Sequence, residues 1–575
     1  MKNLEPMSNV VLTIKFAAAI AGGILCFLLG LYVSGYLTLN WLHLDMSHLG
    51  LRTYPAYVRA LGRPEVTPYA LQIKLSGVVG FALPLAVYGL ALVLLFRPRQ
   101  NPFHGDARFA KRRELAKHGL LKPSPDGVIV GKFGDELVRL SGQQFVILAA
   151  PTRSGKGVGV VIPNLLDYRD SVVVLDIKQE NFDLTSGWRR AQGHEVFLFN
   201  PFADDGRTHR WNPLTYVSSQ PGGRISDLQA IATMLYPSME GEQAFWNGLA
   251  RNAFVALALY LFEDRDDARV SFGEELPCPS MGAVYRLAAG DTGDLKGHFE
   301  RLANQPFLSP QARSAFSSLI AQEAKTFSSV VATLMEPLNL WINPVLDAAT
   351  SADDFLLSDV RKKRMTIYLG ILPNKLAQSR LIINLFFSQL INENTRVLPQ
   401  SDPSLKHQCL LLMDEFTALG RVEILSSAVS YMAGYNLRLL TIVQSMAQLD
   451  SVYGKGVART IMTNHALQIL YAPREQQDAN EYSEMLGYQT LRKWSISHGK
   501  GTPTRSVSKE RRALMLPQEL KAMGPDKEVF LYENIHRPVL CEKIRYYKYA
   551  YFKKRLLPKV DVPLLTLGAD GRMAA

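Results

Sequence analysis

The sequence predicts an α/β protein: a doubly wound, largely parallel sheet, interrupted by an all-helical stretch and preceded by two apolar helices of membrane length. Three observations carry that reading. Two uncharged apolar runs open the chain. Beyond residue 140, short apolar strand-like runs alternate with amphipathic helical patterns, and between about 215 and 345 only the helical period survives. At 575 residues the chain exceeds a single core. Its 47% apolar and 20% charged composition excludes global disorder.

The first element is an anchor, residues 1–100. "FAAAIAGGILCFLLGLYVSGYL" (16–37) and "LSGVVGFALPLAVYGLALVLLF" (75–96) are each long enough to cross a bilayer core, which takes ~20 residues. A cleaved signal peptide is the rival for the first run, but the second would still hold the chain in the membrane. After the second run come Arg97, Arg99, Arg108, Lys111, Arg112, Arg113, Lys117 and Lys122 against only Asp106 and Glu114. By the positive-inside bias the large C-terminal part is cytoplasmic and residues 38–74 form an external loop. Pro84 and the glycines of the first run permit close helix–helix contact.

Next comes a nucleotide loop. "QQFVILAA" (143–150) reads as a strand and "GVGVVIPNLLDY" (157–168) as a helix, with "PTRSGK" between them. A strand, a glycine loop and a helix converge backbone N–H groups at a helix start, where phosphate is favoured. Pro151, Thr152, Arg153, Ser154, Gly155, Lys156, Gly157 and Val158 are the expected ATP-binding residues, with Lys156 reaching the outer phosphates. Two letters are unusual: Ala150 stands where the first loop glycine belongs, and Gly157 where a magnesium-binding hydroxyl belongs.

Hydrolysis also needs acidic groups. "CLLLMDEF" (409–416) ends an apolar strand on paired carboxylates, so Asp414 is the expected Mg²⁺ ligand and Glu415 the residue that polarises water. "SVVVLDIK" (171–178) offers Asp176 alone, which reads as structural. "LRLLTIVQ" (437–444) ends in Gln444, placed to sense phosphate or orient water, or else satisfied by local backbone. Further strands fit 364–372 and 465–473, and the pattern changes between "VFLFNPF" (196–202) and "RKKRMTIYL" (361–369). They divide the nucleotide-binding part into residues 101–214 and 346–575, flanking the helical stretch at 215–345. In that stretch Trp246, Leu249, Ala253 and Leu257 share one face, and Phe316, Leu319, Ile320, Phe327, Val330, Val331 and Leu334 keep helical spacing, with a charged, proline-containing link at 263–280.

The net charge of +12 suits a polyanionic partner. The basic segment 491–512 offers Lys493, Trp494, Lys500 and Arg505 for single-stranded nucleic acid, or else forms a surface hairpin. The cysteines, Cys26, Cys278, Cys409 and Cys541, are widely spaced and imply neither a disulfide framework nor zinc.

"APTRSGKGVGVVIPNLL", "SVVVLDIKQEN", "FNPF…HRWNPL", "LLLMDEFTALGRVEIL", "YNLRLLTIVQSMAQLDSVYG" and "LPQEL…DKEVFLYEN…IRYY", in this order, resemble the TraG-like coupling proteins of type IV secretion and conjugation. The resemblance implies a homo-hexameric inner-membrane ATPase with a RecA-like P-loop domain and an inserted all-alpha domain, using ATP and Mg²⁺. Its implied partners are a relaxase or relaxosome, single-stranded DNA or effector proteins, and the inner-membrane components and ATPases of the secretion channel. A Gly-Lys-Gly core is familiar in that family, so the shell at Gly157 would be completed by water, Asp414, Thr152 or Ser154. Some members also carry an arginine acting across the subunit interface. "SYMAGYN" lacks one, which leaves Arg421, Arg438 and Arg459 as substitutes. Two other functions fit a membrane-linked nucleotide domain: an FtsK-like septal DNA translocase, which usually has more spans and a long linker, and a docking platform whose ATP only stabilises assembly.

Overall fold

A run of both-face-buried apolar strands makes the core of the structure. The computed structural model describes residues 9–95, 104–237, 241–290, 293–497 and 504–566, and only the backbone of 9–12, 419, 492, 495–497 and 504–507. Two compact units divide the chain, one up to residue 103 and one from His104 onward.

The N-terminal unit holds helices Asn9–Trp41 and Ala70–Leu95. Both begin before the expected spans and the first also ends later, because the polar residues flanking the apolar runs include nothing that breaks a helix. The candidate spans Thr13–Trp41 and Thr67–Leu95 are each 29 residues, with mean hydropathy 2.3 and 2.5. At ~1.5 Å per residue either exceeds the bilayer core. The two helices touch within the chain. A Cβ on Gly80 would lie 2.7 Å from Ser34 Cα, the Thr38 and Ser76 hydroxyls are 2.6 Å apart, and the Tyr88 hydroxyl donates to Ala19 O at 2.7 Å. Small residues let the backbones approach, while Ile20, Leu25, Leu83 and Leu90 face outward, as lipid contact requires.

The second unit is built on strands β1 (Val128–Phe133), β2 (Glu136–Leu140), β3 (Val146–Ala149), β4 (Ser171–Asp176), β5 (Glu195–Phe199), β6 (Met365–Gly370), β7 (Cys409–Met413), β8 (Leu437–Val443), β9 (Leu467–Leu470), β10 (Tyr488–Ser497), β11 (Thr504–Ala513), β12 (Lys527–Tyr532) and β13 (Ile535–Glu542). The main sheet runs β2-β1-β13-β12-β9-β3-β8-β7-β4-β6-β5, and β10-β11 pair separately. From β9 to β5 every pairing is parallel. From β9 to β2 every pairing is antiparallel. The parallel strands read as continuous apolar runs because both faces are covered. Ile147, Val173, Leu411 and Met413 enter one core, while Val146, Leu148, Val172 and Leu410 enter the other.

The antiparallel wing is the part that the alternation of strand and helix did not announce. It also corrects the reading of Arg438 as an interface arginine. That side chain is fully buried, and its guanidinium donates to Gln144 O, Asp126 O and Leu140 O at 2.8–2.9 Å, tying β8 to the wing.

Between β5 and β6 lie helices Pro221–Leu235, Glu242–Asp267, Met281–Ala289, Leu295–Ala303, Pro310–Ile320, Ala324–Leu338 and Pro344–Ala349. Phe254, Phe316, Phe327, Val330 and Leu334 are buried in the same core that covers one face of the sheet. The charged segment at 263–280 differs from the expected link. Helix continues through Asp267 and on as a wide turn to Phe272, since its charges sit on the surface and Asp266 pairs with Arg224 at 2.7 Å.

Candidate active site

The C-terminal ends of β3, β4, β7 and β8 converge on one cleft, the usual place for a ligand in a parallel sheet. The loop that follows β3 explains its unusual letters. Ala150 is fully buried and its N–H donates to Val443 O at 2.9 Å, so its backbone lies in the ladder and needs no glycine freedom. The left-handed residues of the loop are Arg153 (φ 60) and Gly155 (φ 89). A Cβ on Gly157 would meet nothing within 4 Å, whereas one on Gly159 would meet the Tyr471 hydroxyl at 2.8 Å. Gly159 is therefore a close-approach glycine and Gly157 is not. The chain after Lys156 coils as a wide turn, Gly157–Val161, and then as helix Ile162–Asp167.

Lys156 lies between the paired carboxylates. Its Nζ donates to Glu415 Oε1 at 3.0 Å and stands 3.4 Å from Asp414 Oδ1. Glu415 adopts a left-handed backbone (φ 56), a strained conformation for a residue with a side chain, directly after β7. Burial pushes the Asp414 carboxyl above its ordinary value, with the Lys156 charge opposing and the Glu415 charge adding to the rise. Two buried oxygens here, Asp414 Oδ1 and Ser154 Oγ, make no hydrogen bond. A buried carboxylate oxygen without a hydrogen bond, beside a lysine paired with two carboxylates, is what a magnesium–nucleotide complex would satisfy. The residues present fit that group.

Asp176, at the end of β4, lines the same cavity of about 400 Å³ as Lys156, Asp414 and Glu415. It accepts from Phe182 N at 2.8 Å and Asn181 Nδ2 at 3.2 Å, starting helix Glu180–Ala191. Burial pushes its carboxyl up to about 7, with the Asp414 charge contributing. Thr152, Arg153, Gly155, Gly157 and Val158 also line the cavity. Pro151, Ser154 and Gln444 stand off the lining, and Gln444 Oε1 accepts from the Thr152 hydroxyl at 3.1 Å.

Residues to which the sequence reading assigned no role support the loop from behind. Arg474 donates to Thr152 O at 2.8 Å and Lys543 to Ser154 O at 3.4 Å. Lys543 also sits 3.5 Å over the Tyr471 ring, and Arg545 Nη1 comes 3.3 Å from where a Gly155 Cβ would be. Their sequence signal was basic charge, Arg474 just after "YAP", Lys543 just before "IRYY" and Arg545 within it.

The remaining expected residues lie elsewhere. Arg421 pairs with Glu423 at 3.0 Å, and Arg459 is exposed on helix Lys455–Thr463; neither lines this cavity. Lys493 and Trp494 are exposed on β10, with Lys493 Nζ 3.6 Å from Glu510. Arg505 stands opposite Ile496 in the ladder, and Lys500 lies outside the described residues.

Residues 104–564 match the sequence family described as type IV secretory system conjugative DNA transfer. The chain is 32% identical over 494 residues to the protein VirD4 of Agrobacterium fabrum strain C58, covering 82% of this chain and 71% of that one. It is 28% identical over 471 residues to the conjugal transfer protein TraG of Escherichia coli, covering 74% and 72%. Among solved structures it resembles the plasmid coupling protein TrwB in complex with the ATP analogue ADPNP, at a TM-score of 0.53 and 17% identity over 78% of this chain and 95% of that one. TrwB in complex with ADP and Mg²⁺ gives 0.53 and 17% over 80% and 98%. At these identities the likeness to TrwB is one of fold.

Proposed function

The chain belongs to the type IV secretory system conjugative DNA transfer family, and from that premise we propose that it is an inner-membrane coupling ATPase. In this reading it recruits relaxase-bound single-stranded DNA, protein substrates or both, and uses ATP hydrolysis to drive them to the secretion channel. Residues 101–214 and 346–575 form the nucleotide-binding part, 215–345 an all-helical domain, and the bulk of the chain is cytoplasmic. Six copies assemble into the working ring, beside the channel's own inner-membrane components and ATPases.

The observation that carries the reading is Lys156 held between Asp414 and Glu415 at the C-terminal edge of the parallel strands. Bound Mg²⁺–ATP would supply the reactive phosphoryl group and the divalent charge that screens it. This chain's residues do the rest. Loop N–H groups from Thr152 to Val158 bind phosphate oxygens, and the Lys156 ammonium exchanges its carboxylate partners for them. Asp414, on the cavity lining, would hold the metal. Glu415, released from Lys156, accepts the proton of the attacking water, and Gln444, reached through Thr152, orients that water.

A platform that binds ATP without turning it over is disfavoured by the acidic pair beside Lys156. The deciding experiment measures ATP turnover by the full chain in detergent micelles, with and without single-stranded DNA. Nucleotide binding with no turnover in either condition would leave the platform reading in place.

A further inference from the structure

We propose that the β10–β11 ribbon is the surface on which this chain holds single-stranded nucleic acid. The inference rests on the reading above that the chain handles DNA, and it assigns that contact to a place outside the ATP cleft.

The ribbon is separate from the main sheet. Its base is fixed to the body: Ala107 N donates to Tyr488 O at 3.0 Å, Thr490 N to Gly105 O at 3.1 Å, and Asp106 bridges Gln489. The pairing register is unbroken, so strand alternation sorts its positions into two rows. One row pairs Tyr488 with Ala513, Thr490 with Arg511, Arg492 with Lys509, and Trp494 with Val507. These four pairs contain three cations and no carboxylate, and Arg505 follows in the same row opposite Ile496. The other row pairs Gln489 with Arg512, Leu491 with Glu510, and Lys493 with Ser508. There Lys493 pairs with Glu510 at 3.6 Å, and Arg512 pairs with Glu519 of the helix that follows the ribbon.

The first row is unusual for a free ribbon in two ways. Arg492 and Lys509 hold directly opposite ladder positions, which puts two cationic residues at one level of the row. Trp494, next along the row, leaves 66% of its surface in solvent. An exposed indole beside cations suits a base stacked on its face with flanking phosphates on the charges. The Arg511 guanidinium lies 3.5 Å over the Tyr488 ring, a second flat cationic surface at the base of the same row. Two rings thus bracket three cationic positions along one face. That is the pattern of a stacking platform, and an anionic lipid surface would match the charge without using the stacked rings.

The test uses the full chain in detergent micelles, a fluorescein-labelled oligo-dT, and anisotropy titrations at several salt concentrations. Trp494→Ala should weaken binding roughly 5- to 100-fold, and Trp494→Phe should retain most of it. The double substitution Arg492→Ser, Lys509→Ser should weaken binding and flatten the salt dependence of log K by ~1.4, for two lost phosphate contacts. ATP-analogue affinity, read on the same samples, should stay unchanged and shows that the variants are folded. Wild-type affinity and salt slope in all variants would overturn the ribbon assignment while leaving the coupling reading intact. So would variants that bind oligo-dT normally but lose binding to phosphatidylglycerol vesicles, which would make the ribbon a lipid contact. A wild-type chain that binds no oligo-dT at any salt would defeat the DNA-handling reading, and the ribbon with it.

Discussion

The side chain of Asn164 completes a backbone ladder from the side: its Oδ1 accepts from Ile129 N and its Nδ2 donates to Ile129 O, both at 2.8 Å, with a further donation to Val160 O. One fully buried amide thereby joins the helix after the phosphate loop to β1. Asn164→Ala leaves a buried N–H and a buried C=O unsatisfied. The expected cost is roughly 2–4 kcal/mol of body stability, measured by urea unfolding. A loss well under 1 kcal/mol would mean that water replaces the amide.

Binding and turnover should separate at the acidic pair. Lys156→Ala removes the cation facing phosphate and should weaken nucleotide binding roughly 10- to 100-fold, the effect of one charged hydrogen bond. Glu415→Gln should keep nucleotide binding and slow hydrolysis roughly 10²- to 10³-fold. Unchanged turnover in Glu415→Gln would move the role of base to Asp176, which lines the same cavity.

Space beside Gly157 makes a gain-of-contact test feasible. Nothing lies within 4 Å of a Cβ there, and its φ is not in the left-handed region. Gly157→Ser should fold normally and bring the missing hydroxyl into the metal's reach, lowering the Mg²⁺ concentration for half-maximal turnover. An unchanged Mg²⁺ requirement would show that Ser154 or water already completes the shell.

A pH-dependent cost is built in behind the loop. Glu528 is fully buried among Tyr471, Cys541 and Lys543, and burial pushes its carboxyl up to about 8, with Lys543 opposing. A carboxyl raised in the folded state contributes fully only below its unfolded value, near 4.5. Stability is lost as pH rises from there through about 8, because only the unfolded chain releases the proton easily. Lys543, lowered by burial to about 8, has the opposite slope at higher pH. Glu528→Gln mimics the protonated form, so its thermal midpoint relative to wild type should climb between pH 5 and pH 8. A pH-independent difference would mean that Glu528 is ionised throughout.

Removing residues 1–103 should release a soluble body that binds nucleotide but assembles poorly. The division into two compact units and the outward apolar faces of the helices motivate this. Membrane retention of the truncated chain would overturn the two-span reading.

The parallel half of the sheet was legible because burial on both faces demands uninterrupted apolar strands, and "VILA", "VVVLD", "CLLLM" and "LRLLTIV" supply them. Lys156, Asp414 and Glu415 were legible for a related reason: charge at the end of such a run has to leave the core. Arg438 misled because its charge lies inside a buried strand, and the carbonyls that use it come from residues 126–144, far away in sequence. Asp176 looked isolated because its neighbour Asp414 arrives only through the β4–β7 pairing. Arg474 and Lys543 escaped notice since they meet the loop through backbone carbonyls, which leave no motif.

In the sheet order β13 stands between β1 and β12, so the hairpin Val128–Leu140 reaches the parallel strands through Ile535–Glu542. On the ribosome that order has a consequence. The apolar helices precede the phosphate loop, and the strand that connects the wing follows both the loop and the acidic pair. Lys543, which braces Ser154 O, follows one residue later. In the two-span reading, a nascent chain would have its loop and acidic pair already translated while the back wall of the cleft is still missing. Under the proposed function, nucleotide capture would wait for β13, and a product cut short before it would lack the back wall of the cleft.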